Sequence, residues 1–157
     1  MHLLRHDAGE FYQVQKNMIR KIKTADYPRL REIWESAVKA THGFLKKEDF
    51  EYYKEHLPKY FPHVALFGYE KDGELAGFIG MAEGNIEMLF VDNDCRGKGI
   101  GRQLVSYAIT HLHAASVDVN EQNLQAVGFY LHIGFRLSSR SETDSEGKHY
   151  PILHLKL

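Results

Sequence analysis

Residues 96–101 read Arg-Gly-Lys-Gly-Ile-Gly and lie between an apolar run and an amphipathic segment. The run before them, Ile86-Glu87-Met88-Leu89-Phe90-Val91-Asp92, has the β-branched and aromatic content of a strand. After them, Ile100, Leu104, Ala108, Ile109 and Leu112 recur at helical spacing, which predicts a helix over residues 103–113. Glycines between a strand and a helix leave backbone N–H groups uncovered where the helix dipole is positive. Such a turn suits an anion, a phosphate or pyrophosphate above all. Taken alone, the six residues fit an ordinary strand-to-helix turn equally well.

Two common phosphate-binding patterns are excluded. A Walker A loop carries Ser or Thr after its Gly-Lys pair, and here Lys98 is followed by Gly99. A dinucleotide GxGxxG fingerprint fails as well, because its third glycine would fall at Arg102 or Leu104. What remains is Arg-x-x-Gly-x-Gly, with Arg96, Gly99 and Gly101 in the defining places.

The rest of the chain narrows the class. Its 157 residues, 43% hydrophobic and 26% charged, suit one domain with a sizeable core. Twenty Lys and Arg balance 21 Asp and Glu, so no basic nucleic-acid face is expected. No stretch approaches the roughly 18–20 apolar residues of a membrane span. The first residues lack the basic-then-apolar pattern of a secretory signal, so a soluble cytoplasmic protein is expected, without a membrane partner. A lone Cys95 rules out an internal disulfide, and the ten histidines are scattered, so no metal site is expected.

Periodicity divides the chain into an N-terminal extension, residues 1–17, and a single domain, residues 18–157. A first strand starts at Met18. Thr24-Ala25-Asp26 caps a helix bearing Tyr27, Leu30, Ile33, Trp34, Ala37 and Val38 at helical intervals. A second helix is predicted over 48–60, then strands over 64–70 and 74–82 joined through Asp72-Gly73, a hairpin signal. The strand at 86–92, the glycine turn and its helix follow. A strand at 116–120, a helix at 123–133 stopped by Gly134, and a strand pair at 137–140 and 151–156 complete a mixed α/β order.

Downstream of the turn, Val119-Asn120-Glu121-Gln122-Asn123 precedes Ala126, Tyr130 and Gly134-Phe135. Together with Arg96-x-x-Gly99-x-Gly101, this resembles the GCN5-related N-acetyltransferase superfamily, GNAT. The resemblance covers residues 18–157 in element order and 86–135 in motif. The Thr41-His42-x-Phe44-Leu45 loop and the Gly147-Lys148-x-Tyr150-Pro151 tail look like a small group of bacterial members. The family's fold is α/β, with a mixed, largely antiparallel central sheet flanked by about four helices. Its strands at 86–92 and 116–120 must splay apart, usually through a bulge.

The resemblance implies acetyl-coenzyme A as co-substrate and acetyl transfer to a primary amine, small-molecule or peptide, by direct attack in a ternary complex. Backbone N–H groups of Gly97, Lys98, Gly99, Ile100, Gly101 and Arg102 would cap the pyrophosphate, with charge from Arg96, Lys98 and Arg102. The backbone of Leu89, Phe90 and Val91 would bond the pantetheine arm as an added strand. Asn123 would contact the cofactor or serve as a plain helix N-cap. Tyr130 would protonate the leaving thiolate; its other reading is a core tyrosine beside Ala126, Val127 and Phe129. The place where some relatives carry an acid or histidine aligns with Asn85, which cannot accept a proton. That leaves Glu87 acting through a water, or His42, as the general base. Cys95 has no His or acid partner suggested in sequence, which disfavours an acyl-enzyme. Trp34, His42 and Phe44 would contact the acceptor. Both monomer and homodimer stay open, and a coenzyme A-binding sensor without turnover is the alternative function.

Overall fold

A computed structural model of the chain describes residues 17–157. The expected N-terminal extension therefore lies, except for its last residue, outside the described residues. The elements are β1 (Met18–Lys21), α1 (Tyr27–Thr41), α2 (Lys47–Tyr60), β2 (Ala65–Lys71), β3 (Glu74–Ala82), β4 (Asn85–Val91), α3 (Ile100–His111), β5 (Ser116–Asn120), α4 (Leu124–Ile133), β6 (Arg136–Ser141) and β7 (Ile152–Lys156). Single 3-10 turns cover Thr24–Asp26, Phe61–His63 and Asn93–Cys95. The order is the one periodicity predicts. Among the described residues no helix is long and apolar enough to cross a membrane.

Seven strands form one sheet in the order β1-β2-β3-β4-β5-β7-β6. All neighbours are antiparallel except β4 and β5. Asp72 and Gly73 both take positive φ, 53° and 82°, which gives the β2–β3 hairpin its mirror-image two-residue turn. β3 is buried on both faces, and each face carries its own core. One core gathers Leu30, Ile33, Trp34 and Val38 of α1 with Leu57, Phe61 and Phe78. The other gathers Leu104, Val105 and Ala108 of α3 with Ile79, Ile86, Val117, Tyr130, Phe135 and Leu155.

The sheet is divided at β4 and β5. They pair only at Asn85–Ser116 and Ile86–Val117 and diverge beyond, as the family resemblance requires. On its other edge β4 carries a bulge: Gly80 faces Met88 and Met81 faces Ile86, leaving Glu87 as the extra residue. The bulge resets the alternation. Ile86 and Leu89 pack into the α3 core while Met88 and Phe90 pack into the α1 core, which strict two-residue alternation forbids.

Candidate active site

α3 starts three residues earlier than its apolar spacing predicts, because Gly99 caps it in the left-handed region. Gly97 and Gly99 have φ of 78° and 81°, conformations a side chain would strain. The space above them is open: a Cβ on Gly97 would meet nothing within 4 Å, and one on Gly99 only Gln103 Nε2, at 3.9 Å. Bare N–H groups at a helix start with room above them fit a pyrophosphate.

Asp92 fixes this turn to the rest of the molecule. Its carboxylate accepts from Arg29 Nη2 at 2.8 Å, Ser36 Oγ at 3.2 Å and the Asp94 N–H at 3.0 Å. Ser36 Oγ in turn accepts the Asn93 N–H at 3.0 Å. Burial pushes the Asp92 carboxyl upward, but the Asp94 N–H, Arg29 and Ser36 outweigh it and hold it below the usual range. Sequence reading passes over Asp92 as a strand end. Its only signal is an acid directly before the turn.

A cavity of about 490 Å³ lies between the turn, β4 and the start of α4. Of the residues expected at the cofactor, Leu89, Phe90, Val91, Arg96, Gly97, Gly99, Ile100, Gly101, Arg102 and Asn123 line it. Lys98 does not line it and is exposed on the turn. Past Ile86 the β5-facing edge of β4 is unpaired, so its N–H and C=O groups are free for an extended ligand. Asn123 is the N-cap of α4, accepting the Ala126 N–H at 3.2 Å, and also lines the cavity. Arg96 donates to Gln125 of α4, which bridges the two helix starts. Cys95 lines the same cavity.

A second cavity, about 220 Å³, lies on the α1–α2 side of β4. Trp34 and His42, both expected at the acceptor, line it, and so does Glu87. His42 and Phe90 line both cavities, so the two meet there. Burial pushes the His42 imidazole down to about 4, which leaves it uncharged at neutral pH. Phe44 does not line either cavity; its ring backs His42 at 5.1 Å and Tyr150 at 6.1 Å.

Tyr130 lines neither cavity. It is 4% exposed, edge-on to Phe129 at 5.1 Å and Phe135 at 5.6 Å, and burial pushes its phenol above the ordinary value. It lies one helical turn after Ala126, which lines the cofactor cavity.

The remaining wall of the second cavity comes from the β6–β7 connection and α2. Tyr53, Tyr60, Asp144 and Tyr150 line it. Tyr53 donates to Asp144, Tyr60 to Glu146 and Tyr150 to Asp49, while Tyr52 donates to Glu146 at 2.8 Å. Asp144 also organises its own turn, accepting the N–H groups of Glu146 and Lys148 at 3.0 and 2.9 Å. Burial first, then the carboxylate bonds, pushes the Tyr53 and Tyr60 phenols well up.

An anion turn opening onto a split sheet, with a second cavity reached across the same strand, fits an enzyme that moves a group from a phosphorylated carrier to an acceptor. The chain belongs to the GNAT acetyltransferase family: the family profile described as "Acetyltransferase (GNAT) domain" matches residues 32–152. It is an acetyl-coenzyme A-dependent N-acetyltransferase. It is 39% identical over 138 residues to the peptidyl-lysine N-acetyltransferase YjaB of Salmonella typhimurium, covering 87% of this chain and 95% of that protein. The solution structure of apo YjaB from Escherichia coli superposes with a TM-score of 0.82 at 36% identity, over 89% of this chain and 96% of that one. The PaiA N-acetyltransferase of Thermoplasma acidophilum, solved with coenzyme A, shares the fold at a TM-score of 0.67 and 23% identity, over 90% of this chain and 99% of that one.

Proposed function

We propose that residues 18–157 act as one domain that acetylates the side-chain amine of a peptide lysine by direct attack within a ternary complex. The observation that carries this reading is the meeting of the two cavities at His42 and Phe90, with donor and acceptor spaces on either side of β4. The acceptor cavity combines Trp34, Tyr53, Tyr60 and Phe90 with the carboxylates of Glu87 and Asp144, and among the described residues no Lys or Arg lines it. Aromatic faces and acids with no competing cation suit an alkylammonium group. The relatives named peptidyl-lysine N-acetyltransferases support the same class.

Acetyl-coenzyme A supplies the thioester-activated acetyl group. The N–H groups of residues 97–102, with Arg96 and Arg102, hold its pyrophosphate, and the free edge of Leu89–Val91 orients its extended arm. Glu87, through a water, takes the proton that the lysine ammonium must lose before its nitrogen can attack. Tyr130 is kept protonated by burial one helical turn beyond the Ala126 wall of the cofactor cavity. It is the proton donor to the departing sulfur once its phenol turns toward that cavity, and it regains a proton from the same cavity.

Free-thiol release from acetyl-coenzyme A with polylysine as acceptor tests the reading. Wild-type enzyme is expected to release thiol only with acceptor present, and Tyr130→Phe to lose about a hundredfold in kcat at unchanged acetyl-coenzyme A affinity. Full transfer by Tyr130→Phe would remove Tyr130 from the mechanism. Absence of lysine acetylation by the wild type would overturn the acceptor class.

A further inference from the structure

Glu87 is weakly held by the fold around it. It is the bulge residue of β4, without a partner on β3, and its side chain is exposed. Among the described residues its carboxylate has one hydrogen-bond partner, the amide of Asn85. An exposed glutamate samples many rotamers, and a base must keep its oxygen within hydrogen-bond reach of the proton it takes.

We infer that Asn85 is a positioning residue that holds the Glu87 carboxylate toward the acceptor cavity by tying it to the polar side chains of β5 and β7. This rests on the proposal that Glu87 takes the amine proton. Asn85 Nδ2 donates to Glu87 and, at 3.1 Å, to Asp118 Oδ2, while Asn85 Oδ1 accepts from Ser116 Oγ at 2.7 Å. Asp118 Oδ1 pairs with His154 Nδ1 at 2.6 Å, and His154 Nε2 meets Ser141 Oγ at 2.7 Å. The amide orientation is not arbitrary. Two carboxylates that only accept must face its nitrogen, so its oxygen must face the serine.

The choice of residue follows from the charges. A carboxylate at position 85 would lie against Glu87 and Asp118 and repel both. An alanine would leave Glu87 without a tether. An amide supplies one N–H to each acid and adds no charge. Asn85 belongs to the β4–β5 ladder through its backbone, at Asn85–Ser116, so the side chain can be changed without altering that pairing. A position that resembles a vacated base thus becomes the holder of a base two residues away.

Asn85→Asp is the discriminating variant, because it keeps the size and loses the donors. It is expected to lower kcat with polylysine by about tenfold or more, as expected for a lost bond to a charged group, with KM for acetyl-coenzyme A within about twofold of wild type. Asn85→Ala is expected to fall in kcat in the same direction, and Asn85→Gln to recover part of the rate. In 15N spectra, the Asn85 side-chain amide pair, assigned by its loss in Asn85→Asp, is expected to move in Glu87→Ala and again in Asp118→Ala. An amide pair that ignores Glu87→Ala would overturn the tether without reference to turnover. If Glu87→Gln abolishes transfer but Asn85→Asp keeps it, the positioning role fails and Glu87 stands. If Glu87→Gln keeps full transfer, the fault lies with Glu87 as base, and the positioning role falls with it.

Discussion

The two cavities that meet at His42 and Phe90 are built in opposite ways. The proposed cofactor side is drawn mostly from one continuous stretch, β4, the turn at 96–101 and the first residues of α3, with the end of α1 and the start of α4 opposite. The proposed acceptor side is gathered from separated elements: α1, α2, β4, β5, the β6–β7 connection and β7. A pyrophosphate and an extended amide chain are the same in every reaction of this kind, and main-chain groups recognise them well. An acceptor differs between enzymes and is read by side-chain shape and charge. One half can therefore be tested through backbone geometry, and the other through single functional groups.

The sharpest way to break this contrast is to put a side chain into the turn. Gly99→Val forces a β-branched residue to φ near 81°, where the residue must strain or the turn must move. We expect the acetyl-coenzyme A KM to rise about a hundredfold, equivalent to roughly 2.7 kcal/mol, with acceptor KM little changed. Isothermal titration with coenzyme A reads the same loss without turnover. A variant that binds coenzyme A normally would mean that side chains, not main chain, carry the donor site.

Asp92 gives the next largest effect, and it tests how far the donor side depends on α1. Arg29→Ala leaves the mostly buried Asp92 carboxylate short of its charged partner at 2.8 Å. We expect about 2 kcal/mol of destabilisation, read by urea unfolding, since the pair is partly screened and Ser36 and the Asp94 N–H remain. The pH dependence has a definite sign. The folded protein holds Asp92 below the usual carboxylate range, so its contribution is present above roughly pH 4 and is lost as pH falls toward the lower folded value. Unfolding followed between about pH 5 and 3 should show a smaller loss in Asp92→Asn than in wild type. Equal pH slopes in the two proteins would show that Asp92 adds nothing through its charge.

The same division explains what the sequence makes legible. Local patterns give every strand and helix in order. They also give the glycine turn, and with the family resemblance ten of the seventeen residues along the proposed cofactor cavity, because each is a property of a short continuous segment. The bulge at Glu87 is not legible: Ile86 to Val91 is apolar apart from that one acid, and a two-residue period cannot show where it slips. Lys98 is exposed on the turn and lines neither cavity, and the glycine pattern gives no sign of which way its side chain leaves the turn. Phe44 stands behind His42, and loop aromatics give no sign of whether they line a cavity or support the residue that does. The tyrosine–carboxylate contacts between α2 and the β6–β7 connection join residues far apart in sequence, Tyr53 to Asp144 and Tyr60 to Glu146, and no spacing rule reaches that far.

Those contacts supply the smallest effect and the finest test of the acceptor side. Tyr53 and Tyr60 stand in the cavity wall with their phenols donated to the β6–β7 connection, so each ring is held by its hydroxyl. Tyr53→Phe keeps the ring and removes the donor, and Asp144 still organises its turn through the Glu146 and Lys148 N–H groups. Stability should therefore fall by no more than about 1 kcal/mol, the usual net worth of one hydrogen bond. The ring gains freedom at the cavity mouth, and we expect KM for a lysine peptide to rise about threefold, roughly 0.6 kcal/mol, with kcat and the acetyl-coenzyme A KM unchanged. The double variant Tyr53→Phe/Tyr60→Phe should exceed either alone, because the two phenols grip different carboxylates of one connection. An acetyl-coenzyme A KM that rises along with the acceptor KM would mean that this wall also shapes the donor side, and that the two halves are one site rather than two that meet.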